Sequence, residues 1–439
     1  MKKIIGSFFL AILATQFILC QTNSLDSILQ KANLNDCVQY ALKHQPVLRQ
    51  SSIDEQITER QINSKLADWY PQLNLNYSLQ HYYQLPVGIV QGQPVKQGVF
   101  NNSSVDLSLT QNIFNKDVLL ASSTAGDVRK QSLELTTANK IDVVVNVSKA
   151  FYAVLLAKAQ INLVQEDILR LGQSEKDTKA QLSAGVVDKT DYERATIALN
   201  NAKAELRQDE ELLNTRTEQL KDAMGFPTDK DLELSFDSSQ MISEAFIDTN
   251  QTLNYENRIE YKLLQTQQRL LKANQRYYEW SFIPSLSAFA GYNLSYQNNI
   301  FKNLYNQNFP NSFIGLELSF PIFQGGKRIQ EIQEASLEVK RSDYDFATLK
   351  SSITVEYTSA MANYKSNLNN FNIMKENLTL AKDVYNTIEL QYKAGVKTYL
   401  DLITAETDLR TTEVNYLNSL YLVLSSKIDV EKALGIIRY

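Results

Sequence analysis

Two aspartates stand at matching places in the chain. Asp191 and Asp401 each lie six residues past an isolated glycine, Gly185 and Gly395. At a helix start a carboxylate favours the positive dipole end, and that role alone accounts for both. Other candidates for chemistry are sparse. The two histidines, His44 and His81, belong to no metal-ligand spacing, and HExxH, CxxC and GxSxG are all absent. Gly325-Gly326-Lys327 has part of a phosphate loop, but the earlier glycine is missing and Arg328 replaces the Ser/Thr. No enzymatic role, metal or cofactor is expected. Tyr77, His81, Tyr82, Tyr83, Tyr292, Tyr296 and Phe301 cluster near predicted strand ends, where they suit a girdle at a water–lipid interface better than ordinary sheet packing.

The elements that position these residues are long. No proline occurs between Pro94 and Pro227 or after Pro321, and only 14 Gly and 8 Pro occur in 439 residues. Such stretches read as long helices, with Gly185 and Gly395 marking where each turns back. Val154, Ala157, Ile161, Val164, Ile168 and Leu171 follow 3,4 spacing before Gly185. Met374, Leu378, Ala381, Tyr385, Ile388 and Tyr392 do so before Gly395. This is the heptad seam of paired helices with a left-handed supercoil.

The seams share a register at an offset of about 210 residues. Ala184-Gly185-Val186 matches Ala394-Gly395-Val396, Asp191 matches Asp401, and Ala223-Met224-Gly225 matches Ala433-Leu434-Gly435. The chain is read as a duplicated unit, about 34–227 and 251–439. Phe114 to Gly185 would span roughly 107 Å as helix, and Phe323 to Gly395 about the same. The returning arms, Gly185 to Gly225 and Gly395 to Gly435, would reach only about 60 Å. Helices over about Leu34–Trp69 and Leu253–Trp280 are expected to stack on them end to end.

Each unit also carries two alternating strands, expected at about 71–84, 103–114, 284–297 and 312–323. Leu73, Leu75, Tyr77 and Leu79 share one face of the first, while Ile314, Leu316, Leu318 and Phe320 share one face of the last. The stretches 85–102 and 297–311 read as loops. A half-buried soluble sheet would show this pattern, and so would a transmembrane barrel. Strands of roughly ten residues span a bilayer when tilted. Four cannot close a barrel, because about eight is the minimum. Strands in lipid therefore require several chains per barrel, and three copies give twelve strands.

Residues 1–20 read as a secretory signal: Lys2 and Lys3 precede an apolar run from Ile4 to Leu19. The expected cut follows Cys20; lipidation of Cys20 is disfavoured because Leu19 is not small. The mature chain, 21–439, then keeps one cysteine, Cys37, read as a small buried residue. Net charge is −5 with no basic block, so nucleic acid is not an expected partner. A periplasmic coiled-coil scaffold without a pore is the alternative reading, and it has no need of four bilayer-length strands.

The duplicated unit resembles the outer-membrane efflux protein family, the TolC-type channels. The resemblance rests on Asn35 to Leu42, on Tyr70-Pro71-Gln72-Leu73, and on Phe320-Pro321-Ile322-Phe323-Gln324-Gly325-Gly326. It rests above all on Leu182-Ser183-Ala184-Gly185-Val186 leading to Asp191 and Tyr392-Lys393-Ala394-Gly395-Val396 leading to Asp401-Leu402. It implies a mainly α fold: a homotrimer with a twelve-stranded barrel in the outer membrane, four strands per protomer, and a long α-helical barrel in the periplasm. It also implies docking to a periplasmic adaptor protein, and through it to an inner-membrane transporter, in efflux or type I secretion. Thr190, Asp191, Tyr392 and Lys397 match residues that hold the periplasmic tip shut. Asp401 matches a ring of carboxylates at the entrance, and Gly185, Val186, Gly395 and Val396 form the turns expected to meet the adaptor. Two departures stand out: Lys397 where relatives often carry Arg, and Thr404 where a second carboxylate often follows, leaving three ring charges rather than six.

Overall fold

The computed structural model describes residues 31–235 and 238–439. The expected leader and Cys20 lie outside the described residues. The first half runs α1 (Leu34–His44), α2 (Pro46–Ala67), β1 (Gln72–His81), β2 (Val87–Val90), β3 (Gln93–Lys96), β4 (Asn101–Phe114), α3 (Lys116–Ser183) and α4 (Lys189–Met224). A connector containing α5 (Ser238–Glu244) leads to α6 (Ile259–Glu279), β5 (Ser285–Asn298), β6 (Asn308–Ser319), α7 (Lys327–Lys393) and α8 (Tyr399–Leu434). The long arms α3 and α7 have 68 and 67 residues, and the returning arms α4 and α8 have 36 each.

The four long strands form one antiparallel sheet in the order β1-β4-β5-β6, so β1 and β6 are its edges. Register puts Leu75 opposite Leu107, Leu107 opposite Tyr292, and Ala290 opposite Ile314, so most apolar residues share one face, while Phe289, Phe309 and Phe313 lie on the other. The first face is bare: Leu75 and Leu316 are each 68% exposed and Ile314 is 86% exposed. The opposite face carries Asn76, Asp106 and Asn293 in line.

Several expected boundaries move. Strand one ends at His81 rather than 84, and strand four spans 308–319 rather than 312–323. The reason lies at the start of its partner β5, whose Ser285 pairs with Ser319, while Pro321 offers no N–H to extend the ladder. Pro310 is tolerated within β6 because that strand is an edge. The stretch 85–102 is not wholly loop: β2 and β3 pair as a hairpin around Gln91 and Gly92, both at positive φ. Its Pro86, Gly88 and Pro94 had read as breakers. Residues 34–69 form two helices, broken at Gln45 by Pro46, and the second such helix begins only at Ile259.

The end-to-end stacking is observed. The α4 C-cap, Gly225, packs on Gln45 and Pro46, and the Gln45 side chain donates to the carbonyls of Asp222 and Ala223 at 3.0 Å. The α8 C-cap, Gly435, packs on Asn257 and Arg258, and the Arg258 guanidinium donates to the Ala433 carbonyl at 3.0 Å. The Ala223 and Ala433 carbonyls, which a helix end leaves unpaired, are thus capped by the next helix. Arg258 is buried and also binds Glu260 and Glu356. Four helical columns result: α3, α4 on α2, α7, and α8 on α6.

The main core lies partway down these columns. Val147, Leu155, Leu220, Met224, Tyr364, Val423 and Leu424 are fully enclosed there, together with Cys37 from α1. Burial pushes the Cys37 thiol up to about 12, which makes it inert. The Tyr364 hydroxyl donates to the Ala245 carbonyl and accepts from the Ile247 N–H, tying the connector to α7. In the first seam Val154, Ala157, Val164 and Leu171 are buried, whereas the second seam, Met374 to Tyr392, is only half-buried in the protomer.

The joint can be tested by a paired substitution. Gly435 and Gly395 have nearly equal φ, +70° and +72°, but a Cβ on Gly435 would meet Asn257 backbone at 2.8 Å and one on Gly395 would meet nothing. Gly435→Ala should lose about 2 kcal/mol or more in denaturant unfolding in detergent, and Gly395→Ala about 1 kcal/mol. Equal losses would show that the joint is not tightly packed.

Candidate functional site: the helical tip

The two hairpin tips are built alike. α3 ends in Gln181 and Leu182, whose carbonyls accept from the Val186 and Gly185 N–H groups. α7 ends in Gln391 and Tyr392, whose carbonyls accept from Val396 and Gly395. This double bond pattern closes a helix through a left-handed residue, hence glycine at 185 and 395. It turns the following valines outward, and Val186 and Val396 are each 72% exposed. Both turns thus present an open backbone and one apolar side chain.

The returning helices then start differently. Thr398 caps α8: its Oγ accepts from the Asp401 N–H at 3.2 Å, and the Asp401 carboxylate accepts from the Thr398 N–H and hydroxyl at 3.0 and 2.9 Å. This reciprocal box holds Asp401 below the usual carboxylate range, chiefly through the Thr398 backbone, with Lys397 assisting. Lys397 lies 3.9 Å from Asp401. In the first repeat Asp188 is the cap, accepting from the Asp191 N–H at 3.2 Å and from Thr190. Among the described residues, no side chain hydrogen-bonds or ion-pairs with the Asp191 carboxylate.

Tyr392 bridges the repeats. Its hydroxyl donates to Gln181 at 3.0 Å, and its ring meets Tyr399 edge-on at 6.1 Å. Burial raises its pKa, Gln181 opposes this, and the nearby Asp191 and Asp177 carboxylates add to the rise. Of the expected latch residues, the protomer therefore brings Tyr392 near Asp191 but sets Lys397 on Asp401. His44 and His81 are held by the Tyr40 carbonyl and Asn101, and no cluster of metal-binding residues occurs among the described residues.

The sequence reading missed a charged layer behind the tip. Asp167 of α3 is buried and bonded to Arg170. Arg170 also lies 3.6 Å from Glu406 of α8. Arg410 reaches Asp167 at 3.3 Å and pairs with Glu205 of α4, while Lys382 of α7 faces Glu413 at 3.8 Å. Oxygens of Asp167, Glu406 and Glu413 are buried without hydrogen bonds. A cavity of about 540 Å³ opens beside this layer, bordered by Arg170, Ser174, Tyr385, Tyr392 and Glu406. The available signal was charge spaced at 3 and 4 beside the heptad seam: Asp167 with Arg170, and Glu406 with Arg410.

The protomer is thus a long-armed helical wall with an exposed apolar sheet at one end and two turned tips at the other. The family described as outer membrane efflux protein matches residues 37–226 and 263–436. The chain belongs to that family, whose members are channels of the outer membrane. It is 23% identical over 431 residues to outer membrane protein TolC of Escherichia coli K12, covering 94% of this chain and 84% of that one. Among solved structures, outer membrane protein VceC of Vibrio cholerae superposes with a TM-score of 0.72 at 15% identity, covering 92% of this chain and 96% of that one. CusC, whose structures concern folding and transmembrane channel formation, gives 0.74 at 19% identity, with 93% and 95% covered.

The charged layer should make the region behind the tip respond to acid. Burial lifts Glu406 to about 7 from 4.5; Arg170 pulls it down and Asp167 pushes it further up. Asp167 and Glu413 move upward for the same first reason. A folded pKa above the unfolded one contributes stability that is complete below the unfolded value and lost as pH rises through the folded one. The packing of α3 on α8 should therefore tighten on acidification from about 7 to 4.5, by on the order of 2 kcal/mol. Asp401 has the opposite sign and acts below this window. Corrected for the pH dependence of intrinsic exchange, amide protection of α8 should rise across the window in wild type and rise by less in Glu406→Gln, where Asp167 and Glu413 still titrate. A pH profile unchanged in the variant would refute this assignment.

Proposed function

We infer that three copies of this chain close one twelve-stranded barrel across the outer membrane and continue it into the periplasm as a helical duct for export. The carrying observation is the sheet. Among the described residues its edges β1 and β6 are unpaired, and its apolar face is exposed most fully on those two strands. Unpaired edges in lipid cost several kcal/mol per group, so the sheet must close, and four strands cannot close alone. The half-buried second seam supports the same reading, since it leaves apolar surface for a neighbouring protomer.

The duct is opened at its tip by a periplasmic adaptor protein, which links it to an inner-membrane transporter. The two exposed Gly-Val turns are the docking points. Thr190, Asp191, Tyr392 and Lys397 bias the tip towards closed, and three copies of Asp401 form a carboxylate ring at the entrance. Asp191 suits a latch because its carboxylate is not used within the protomer, and Asp401 suits a ring because its box keeps it ionised. An exposed ion pair contributes about 0 to 1 kcal/mol, so such contacts exchange readily when the adaptor binds.

The membrane topology is checked by labelling. A tag inserted near Gly92, in the turn between β2 and β3, or near Asn306, between β5 and β6, should be reached on intact cells. Labelling only after permeabilisation would overturn the orientation.

The gate is checked by conductance in planar bilayers. Asp191→Ala with Lys397→Ala should raise single-channel conductance several-fold, since weak contacts repeated three times shift the closed tip by about a factor of ten. Asp401→Asn keeps an acceptor for the helix cap and removes the ring charge, so it should lower cation preference and weaken block by multivalent cations without opening the tip. If Asp401→Asn alone opens the channel, latch and ring are not separate devices.

A further inference from the structure

At the other end of the columns the sheet meets the long arms, and a cleft of about 530 Å³ opens there. Lys116 at the start of α3, Lys327 and Arg328 at the start of α7, Tyr277 of α6, and Ser281 and Ser285 before and within β5 line it. Two features point to a missing partner. Arg328 is 8% exposed, yet its Nη2 is buried without a hydrogen-bond acceptor, and the Ser281 Oγ is buried without one as well. The rest of the Arg328 guanidinium is held in place: Nε donates to Gln324 at 3.0 Å, and the group lies 5.2 Å from the Phe282 ring and 5.8 Å from the Phe320 ring. A buried guanidinium donor left unpaired is costly, and an oxyanion relieves that cost.

The local charge agrees. Asp117 accepts from the Tyr277 hydroxyl at 2.6 Å, and Glu331 lies 3.7 Å from Lys327. Lys116 rests over the Tyr277 ring at 4.2 Å, and among the described residues neither it nor Arg328 ion-pairs with a carboxylate. The positive ends of the two longest helices enter the same cleft. The cleft lies where the bare apolar face ends, at the Ser285–Ser319 pair. Beside it Ile322 and Phe323 are each 87% exposed, and Phe282 and Ile283 are about half exposed.

We propose that this cleft binds the phosphodiester of a membrane phospholipid, with Arg328 and Lys116 on the phosphate oxygens and the acyl chains lying along Ile322 and Phe323. Anchoring groups at this level fix how deeply a membrane protein sits. The assignment rests on the reading that the strands cross the membrane, and the bound lipid would mark the periplasmic rim of the sheet.

The test is native mass spectrometry of the detergent-purified assembly, titrated with phosphatidylglycerol or with a diacylglycerol of the same chains. Wild type should retain phosphatidylglycerol at least about tenfold over diacylglycerol, the size of one charge-assisted contact. Arg328→Gln should lose that preference. Because Arg328 is buried, Lys116→Gln with Lys327→Gln serves as a second variant that leaves the interior intact, and it should lose most of the preference. Equal retention of the two lipids by wild type, or an unchanged preference in the double variant, would overturn the proposal. Complete displacement of the lipid by excess inorganic phosphate would overturn it too, in favour of a small-anion site. Trimer mass and outer-membrane fractionation, read on the same samples, report separately on the membrane reading.

Discussion

The architecture depends on one constraint: each returning helix is too short to reach the sheet, and its last carbonyls must be capped where it stops. α4 and α8 end with 36 residues each against long arms of 68 and 67. Gln45 and Arg258 supply the missing donors from the helices that continue each column. Because the caps come from the next helix, two separate segments behave as one rod. That junction also brings α1, the connector and the middle of α7 together, and so the main core collects there. Without the joint, two of the four columns would be stubs, and the sheet would stand on two legs.

The duplication repeats the fold but not the chemistry. Gln45 and Arg258 hold matching places, yet the first is a neutral amide and the second a buried cation that draws in Glu260 and Glu356. Asp191 and Asp401 also match, yet Asp401 closes a capping box with Thr398 while Asp191 sits beside an Asp188 cap and is left over. The first seam is buried within the protomer and the second is half-open. A shared scaffold thus lets matching positions in the two copies do different work.

Much of this was legible in the sequence because helix periodicity, proline spacing and strand alternation are local signals repeated over long stretches. The two tips, the offset of about 210 residues and the alternating strands follow from residue order alone. What the sequence hid was set by partners distant in the chain. The break at Gln45 follows from Pro46, but its purpose is visible only once Asp222 and Ala223 are found against it. The charged layer at Asp167 and Glu406 is spread over four helices, so no single window shows it. The β2–β3 hairpin was masked by Pro86 and Pro94, which a short edge hairpin tolerates.

The distribution of packing along the columns explains how one end can move while the other holds. The enclosed core ends near Leu155 on α3, and the turn at Gly185 lies roughly 45 Å further along. In between, Val164, Leu171 and Leu409 stay buried, and the charged layer adds ion pairs beside them. Below it the tip keeps a small separate core of Ala195, Tyr399 and Leu402, together with single hydrogen bonds such as Tyr392 to Gln181 and helix caps internal to each hairpin. Displacing the tip therefore opens only this small core, whereas displacing the joint would expose the larger one. Rearrangement at the end that carries the exposed valines therefore costs less than rearrangement at the joint.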